Sequence, residues 1–260
     1  MDTKVRDFYE DAVRLWGEDA QIRMCIEEMS ELTKELCKFQ RYTKIAGQAT
    51  PEKIEEIKNN IVEEVADVLN CASQMANIFG KNEAEKIRVQ KVERTIPRLE
   101  EFRKISGIKR TTLLYVISGD KVLLGKKLRG FGAGKFNGAG GKVNENETIE
   151  QAMLREAKEE FNIIPTGYKH VGNILYDEFD GDNKLYYDTA IFVATGYEGE
   201  LKDSDEMSPV WFDKNNLPYE NMFEDDKDWL ESVLEGRRIN ARFEFDKNFK
   251  IISKHIYIND

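Results

Sequence analysis

The period of the hydrophobic pattern changes once along the chain, near Ser106 and Gly107, and this change limits the possible folds more than any other feature. Before it, apolar residues recur at three- and four-residue steps: Ile22, Cys25, Met29, Leu32, Leu36 and Phe39, then Ile54, Ile57, Ile61, Val65, Val68, Ala72 and Met75. Such steps line one face of a helix. They predict helices over about 3–16, 18–41, 51–79 and 82–103. Thr50 caps the helix that Pro51 begins, Gly80 closes it, and Asn82 with Glu85 opens the next. Four helices with short connections point to a bundle.

After Gly107 the pattern is that of strands. TTLLYVI (111–117) and KVLLG (121–125), separated by Ser-Gly-Asp, read as a hairpin. Further strands are expected at 170–179, 185–195, 241–245 and 250–258. One helix is expected at about 149–161, opened by Thr148 and Gln151 at capping-box spacing, and a second at about 225–235. The reading is a two-domain chain: an all-α helical bundle over 1–105 and an α+β domain, a mixed sheet with flanking helices, over 106–260. At 260 residues there is length for two separate cores.

Composition excludes several classes. Hydrophobic residues at 40% against charged ones at 34% describe a soluble globular chain. No apolar run approaches the roughly 20 residues that span a bilayer, and the start MDTKVRDFYED lacks the apolar stretch of a secretory signal. Cys25, Cys37 and Cys71 have no metal-ligand spacing and read as buried thiols of a cytoplasmic protein. A net charge of −10 argues against a nucleic-acid partner and suits carboxylate sites for divalent metal.

The chemistry concentrates in GKVNENETIEQAMLREAKEEFNI (141–163). Glu156, Glu159 and Glu160 stand at i, i+3 and i+4, so all three carboxylates leave one helix face. Their mutual repulsion is relieved by a hard dication with oxygen ligands, and Arg155 can hold a neighbouring carboxylate in place. Gly141, five residues, Glu147, seven residues and then Arg155-Glu156-Ala157-x-Glu159-Glu160 is the pattern of the Nudix hydrolases, which this stretch resembles. Asn162 stands where that family usually has glycine; asparagine also accepts the left-handed conformation that ends a helix.

The likeness extends to VLLGKKLRGFGAGKFNGAGGKV and SDEMSPVWFDKNNLPYENMFEDDKDW, which resemble the MutT-homologue oxidised-purine nucleoside triphosphatases. That resemblance implies Asn137, Asp225 and Asp226 as base-edge contacts, Phe131 as a pocket wall and Lys127 near the phosphates. It also implies metal ligands at Glu156, Glu160 and the Gly140 carbonyl, with Glu206 as a further metal or water-positioning carboxylate. Phe223 replaces the tryptophan that floors the base in that family, so affinity or base preference is expected to differ.

The helical part carries IEEMSEL (26–32) and VEEVADV (62–68). Glu28 with Glu31, and Glu64 with Asp67, lie one turn apart, and Glu64 interrupts an apolar row. Carboxylates on the inner seam of a bundle are costly unless paired or metal-bound. Residues 8–100 resemble the MazG-like all-α nucleoside triphosphate pyrophosphohydrolases. The resemblance implies magnesium at Glu28, Glu31, Glu64 and Asp67, and phosphate contacts from Lys91 and Arg94.

The expected function is a magnesium-dependent nucleotide pyrophosphohydrolase, with manganese as an alternative ion. It would convert oxidised purine nucleoside triphosphates such as 8-oxo-dGTP to monophosphate and pyrophosphate, with a second such site in the helical domain. The alternatives are a Nudix hydrolase for another nucleoside diphosphate-linked substrate, and a helical domain that is a non-catalytic oligomerisation or nucleotide-sensing module. Apolar residues on more than one face of the third helix, Ile61, Val62, Val65, Ala66 and Leu69, favour a homodimer or homotetramer.

Overall fold

Thr50 accepts the Lys53 amide and Pro51 starts the helix it caps, as the sequence predicts. This is one of four helices in the first part of a computed structural model that describes residues 3–44 and 50–259: α1 (Thr3–Trp16), α2 (Glu18–Lys44), α3 (Pro51–Phe79) and α4 (Lys81–Ile105). The chain divides into two compact units, Met1–Arg98 and Leu99–Asp260, so the boundary falls within α4.

In the first unit α2 and α3 pack along each other and α1 packs on both. The core is thin: Tyr9, Ala12, Cys25, Ile57 and Cys71 are buried, and the Tyr9 hydroxyl donates to Asn70 at 2.7 Å. Two expectations are corrected here. The four-helix bundle is built by three helices, because α4 buries none of its residues. Asn82 is not the start of α4; the helix leaves Gly80 directly, with the Ala84 amide donating to the Gly80 carbonyl at 3.0 Å. Cys37 is exposed, whereas Cys25 and Cys71 are buried as expected.

The second unit is a mixed sheet between two helices. Its elements are β1 (Lys109–Ser118), β2 (Lys121–Lys127), β3 (Phe136–Asn137), α5 (Ile149–Phe161), β4 (Ile163–Thr166), β5 (Lys169–Asp180), β6 (Asn183–Ala194), β7 (Gly196–Gly199), β8 (Met207–Asp213), α6 (Asp226–Leu234), β9 (Arg238–Phe245) and β10 (Ile251–Asn259). The sheet order is β10-β9-β5-β6-β1-β2-β3, with β8 also paired to β2, while β4 and β7 form a small separate ribbon. β1 runs parallel to β6 and β5 parallel to β9; the β1–β2 hairpin is antiparallel.

Strand alternation sorts β1 onto two cores. Leu114 and Val116 join Met153, Ala157 and Phe161 of α5 on one face. Tyr115 joins Trp229, Leu230 and Val233 of α6 on the other. Thr148 and Gln151 form the expected capping box, and Asn162 closes α5 in the left-handed conformation at φ 60 and ψ 31. The α4 end belongs to this unit: Arg103 donates to Asp188 at 2.8 Å. Strands β3, β4, β7 and β8 were not foreseen from periodicity. Pro165 lies in β4 and Pro209 in β8, and proline removes a ladder donor, so both runs fall short of a strand signature yet are tolerated at a sheet margin. Among the described residues, no helix is long and apolar enough to cross a membrane.

Candidate active site

The loop before α5 and the first turns of that helix are tied together by one guanidinium. Arg155 donates to both Glu147 oxygens at 2.9 and 3.0 Å, to Glu156 at 2.7 Å, to Glu159 at 3.1 Å and to the Lys142 carbonyl at 2.9 Å. Every face of the fork is engaged, so Arg155 braces the carboxylates and has no donor left for a substrate. Arg155 is thus placed to hold its neighbouring carboxylates, as its position beside them in the sequence suggests.

Glu160 is 3% exposed and accepts the Gly140 amide at 2.8 Å. Burial raises its pKa to about 7, against the lowering effect of that hydrogen bond. Burial also raises Glu156, with Arg155 opposing. Gly140 has to be glycine, since a Cβ there would stand 1.9 Å from the Thr112 carbonyl oxygen. At Gly141 a Cβ would meet the Glu156 carboxylate at 2.3 Å. The Gly140 carbonyl accepts no hydrogen bond among the described residues, which leaves it open as a ligand.

Glu206 lies near enough for its charge to raise both Glu156 and Glu160, and it is paired with Arg129. Lys127 acts on Glu160 in the opposite sense, so it too borders the cluster. Glu156, Glu159 and Glu160 share a helix face as their spacing predicts. However, no three of these groups and Glu206 bring carboxylate oxygens within 4.8 Å of one another; Arg155 binds Glu156 and Glu159, and the Gly140 amide binds Glu160. The donor set consists of carboxylates and a carbonyl, the hard oxygens that suit magnesium.

The same cavity, about 1280 Å³, continues from Lys127, Gly140 and Glu206 to Asn137, Asp225 and Asp226. Asn137 is oriented by two donors to its carbonyl oxygen, the Tyr115 hydroxyl at 3.0 Å and the Gly138 amide at 2.8 Å. Its amide nitrogen is therefore the group left to donate. Asp225 and Asp226 are 3% and 2% exposed. One Asp225 oxygen accepts both the Trp229 indole N–H and the Tyr176 hydroxyl at 3.0 Å, whereas Asp226 accepts the Phe223 amide at 2.9 Å. Burial raises both pKa values. Asp225 is restrained by Trp229 and Tyr176, but Asp226, further pushed by the charge of Asp225, rises well above its ordinary value. Asp226 is the member pushed further toward the neutral form.

Phe131 stacks on Phe223, with centroids 5.6 Å apart and planes at 25°, and packs on Phe249 at 4.9 Å. The pocket wall is thus an aromatic trio. Sequence reading missed Phe249, and missed Tyr115, Tyr176 and Trp229, which orient the polar groups. It also missed Glu178 on the same cavity wall.

In the helical unit Glu28, Glu64 and Asp67 offer oxygens within 4.8 Å of one another. Burial and then the charges of Asp67 and Glu64 raise Glu28, and burial with the charge of Glu31 raises Glu64. Glu31 stays outside the trio, paired with Lys34 at 3.1 Å. Lys91 and Arg94 are exposed on α4, and their side chains form no hydrogen bond or ion pair among the described residues, so nothing joins them to the trio. Glu35, not singled out by spacing, is 3% exposed and paired with Lys38 at 2.6 Å.

Residues 108–233 match the NUDIX domain family. The chain is 45% identical over 141 residues to the oxidized purine nucleoside triphosphate hydrolase of Danio rerio, covering 54% of this chain and 89% of that protein. To the protein of the same description from Mus musculus it is 39% identical over 142 residues, covering 55% and 90%. An ADP-ribose pyrophosphatase of Methanocaldococcus jannaschii is 31% identical over 144 residues, covering 55% and 80%. Among solved structures, a MutT protein from Bacillus halodurans superposes with a TM-score of 0.51 at 29% identity, over 57% of this chain and 97% of that one. The motif on α5, the carboxylate cluster it carries and these relatives agree: the chain belongs to the Nudix family of hydrolases, through its C-terminal unit.

Proposed function

We propose that the C-terminal unit hydrolyses oxidised purine nucleoside triphosphates such as 8-oxo-dGTP to the monophosphate and pyrophosphate. The observation that carries this reading is the unequal pair at the end of the cavity. Asp225, with two donors, is suited to accept from a base, while Asp226, pushed toward its neutral form, can also donate, and the Asn137 amide donates beside them. Together they match a purine edge that offers both donors and acceptors. The named activity of the Danio rerio and Mus musculus relatives supports the same substrate class.

Glu156, Glu160 and the Gly140 carbonyl would hold magnesium, with manganese as an alternative ion and Glu206 as a further ligand. The ion supplies charge that screens a polyphosphate and acidifies a water. Lys127 would bind phosphate oxygens at the border of the cluster. Glu159 or Glu160 would take the proton of the attacking water, and Arg155 holds Glu156 and Glu159 in their places. Chromatography of the products of 8-oxo-dGTP hydrolysis tests the reading. Monophosphate with pyrophosphate is expected, and Glu160→Gln should abolish it.

A second site is favoured by the trio Glu28, Glu64 and Asp67. The helical unit would be a MazG-like nucleoside triphosphate pyrophosphohydrolase acting independently of the Nudix unit. Glu64→Gln in the full chain should then remove one nucleotide-hydrolysing activity and leave 8-oxo-dGTP turnover intact. If no activity is lost, the unit is an oligomerisation or sensing module. The exposed Val62, Leu69, Met29 and Leu36 support self-association through this unit in either case.

A further inference from the structure

The base pocket contains a carboxyl group for which the mechanism above has no use. Glu178 lies two residues beyond Tyr176 on β5, hence on the same face of the strand, and it lines the cavity with Asp225 and Phe245. Its register neighbour on β6 is Leu185, which also lines the cavity. The adjacent residue makes an instructive contrast. Asp177, on the opposite face, is fully buried and bound by Arg242 at 2.6 Å and Lys184 at 3.2 Å. Glu178 has no hydrogen bond or ion pair among the described residues, and burial, followed by the charge of Asp225, raises its pKa to about 7. A half-buried carboxyl without a partner costs folding free energy, and the interior face of a strand has no structural need for one.

We propose that Glu178 is a specificity-determining residue of this pocket, whose carboxyl group pairs with a lactam edge of a bound purine, adjacent N–H and C=O groups, that Asp225 and Asp226 do not cover. The inference rests on the base pocket formed by Asn137, Asp225 and Asp226. A neutral carboxyl presents one donor and one acceptor side by side, the complement of a lactam. Guanine has one such edge, at N1 and C6, and 8-oxoadenine has one, at N7 and C8. 8-Oxoguanine has both. A pocket with two carboxyls that burial pushes toward the neutral form, Asp226 and Glu178, therefore suits the base that has two lactam edges, and a half-buried, unpaired Glu178 on the cavity wall is available to the second of them.

The test is kcat/KM of the 260-residue chain, at matched magnesium, for dGTP, 8-oxo-dATP and 8-oxo-dGTP, in wild type, Glu178→Leu, Glu178→Gln and Asp226→Leu. Thermal unfolding of each variant checks that it is folded. Glu178→Leu should change the ratios among the three nucleotides by about ten- to hundredfold, as expected when a contact to one polar edge is lost. Glu178→Gln keeps a donor and an acceptor and should hold the ratios within about threefold. Equal losses on all three nucleotides in Glu178→Leu, or none, would overturn the assignment, since a merely structural carboxyl lowers every substrate alike. If Asp226→Leu shifts the ratios and Glu178→Leu does not, the base pocket stands and Glu178 alone is excluded. If neither variant shifts them, the pocket reading fails and the role of Glu178 fails with it.

Discussion

Tyr176 donates its hydroxyl hydrogen to Asp225 at 3.0 Å, joining the middle of β5 to the first residues of α6. The Trp229 indole meets the same oxygen from one turn further along the helix. These two donors restrain the pKa of Asp225, while that of its neighbour Asp226 is raised further. Tyr176→Phe removes one of them while leaving the ring on Phe243. The loss should cost about 1 kcal/mol of folding stability and raise the Asp225 pKa further. Selection for oxidised over ordinary purine should fall with it, read as the ratio of kcat/KM values. An unchanged ratio would show that Asp225 does not depend on Tyr176.

The raised pKa of Asp226 has a consequence for stability. Its folded-state pKa lies well above the ordinary 3.8, so the folded protein keeps a proton that the unfolded chain releases near 3.8. Stability from this group is full below that value and is lost as pH rises toward the folded-state pKa. Asp226→Asn removes the loss. Its melting temperature should exceed that of wild type at neutral pH, and the gain should shrink as pH falls toward about 4. A gain that is constant with pH would contradict a raised Asp226.

Arg155 holds Glu147, Glu156, Glu159 and the Lys142 carbonyl at once. Lysine has the charge but not the planar fork. Arg155→Lys should lower kcat/KM for 8-oxo-dGTP by about tenfold or more and raise the magnesium concentration needed for half-maximal activity. An unaltered magnesium requirement would mean that the brace does not place the ligands.

Much of this site was legible in the sequence because it is local. Glu156, Glu159 and Glu160 lie within two turns of one helix, and Thr148, Gln151 and Asn162 mark its ends by side-chain chemistry alone. The residues that orient the proposed base pocket were harder to find. Tyr115, Tyr176 and Trp229 come from separate elements and meet only because β1, β5 and α6 share a core. Glu178 looks like any exposed strand residue until the strand's inner face is known. Pro209 disguised β8, and the apolar residues of α4 suggested a packed helix where none of its side chains is buried. The i,i+3 rule paired Glu28 with Glu31, but the packing of α2 on α3 brings Glu28, Glu64 and Asp67 together instead.

The helical unit leaves Val62 at 69% and Leu69 at 63% exposed on α3. Apolar residues at this density on one helix favour association. Light scattering of the full chain should show a dimer or tetramer, and Val62→Asp with Leu69→Asp should shift it to the monomer. A monomeric wild type at micromolar concentration would contradict this.

The most direct measurement for the account is the ratio of kcat/KM for 8-oxo-dGTP over dGTP at matched magnesium, in wild type, Asp225→Asn and Asp226→Leu. Wild type should prefer the oxidised nucleotide. Each substitution should reduce that preference by about ten- to hundredfold while the magnesium requirement stays the same. If both variants keep the wild-type ratio, the paired aspartates only begin α6, and the base pocket assigned to them does not exist.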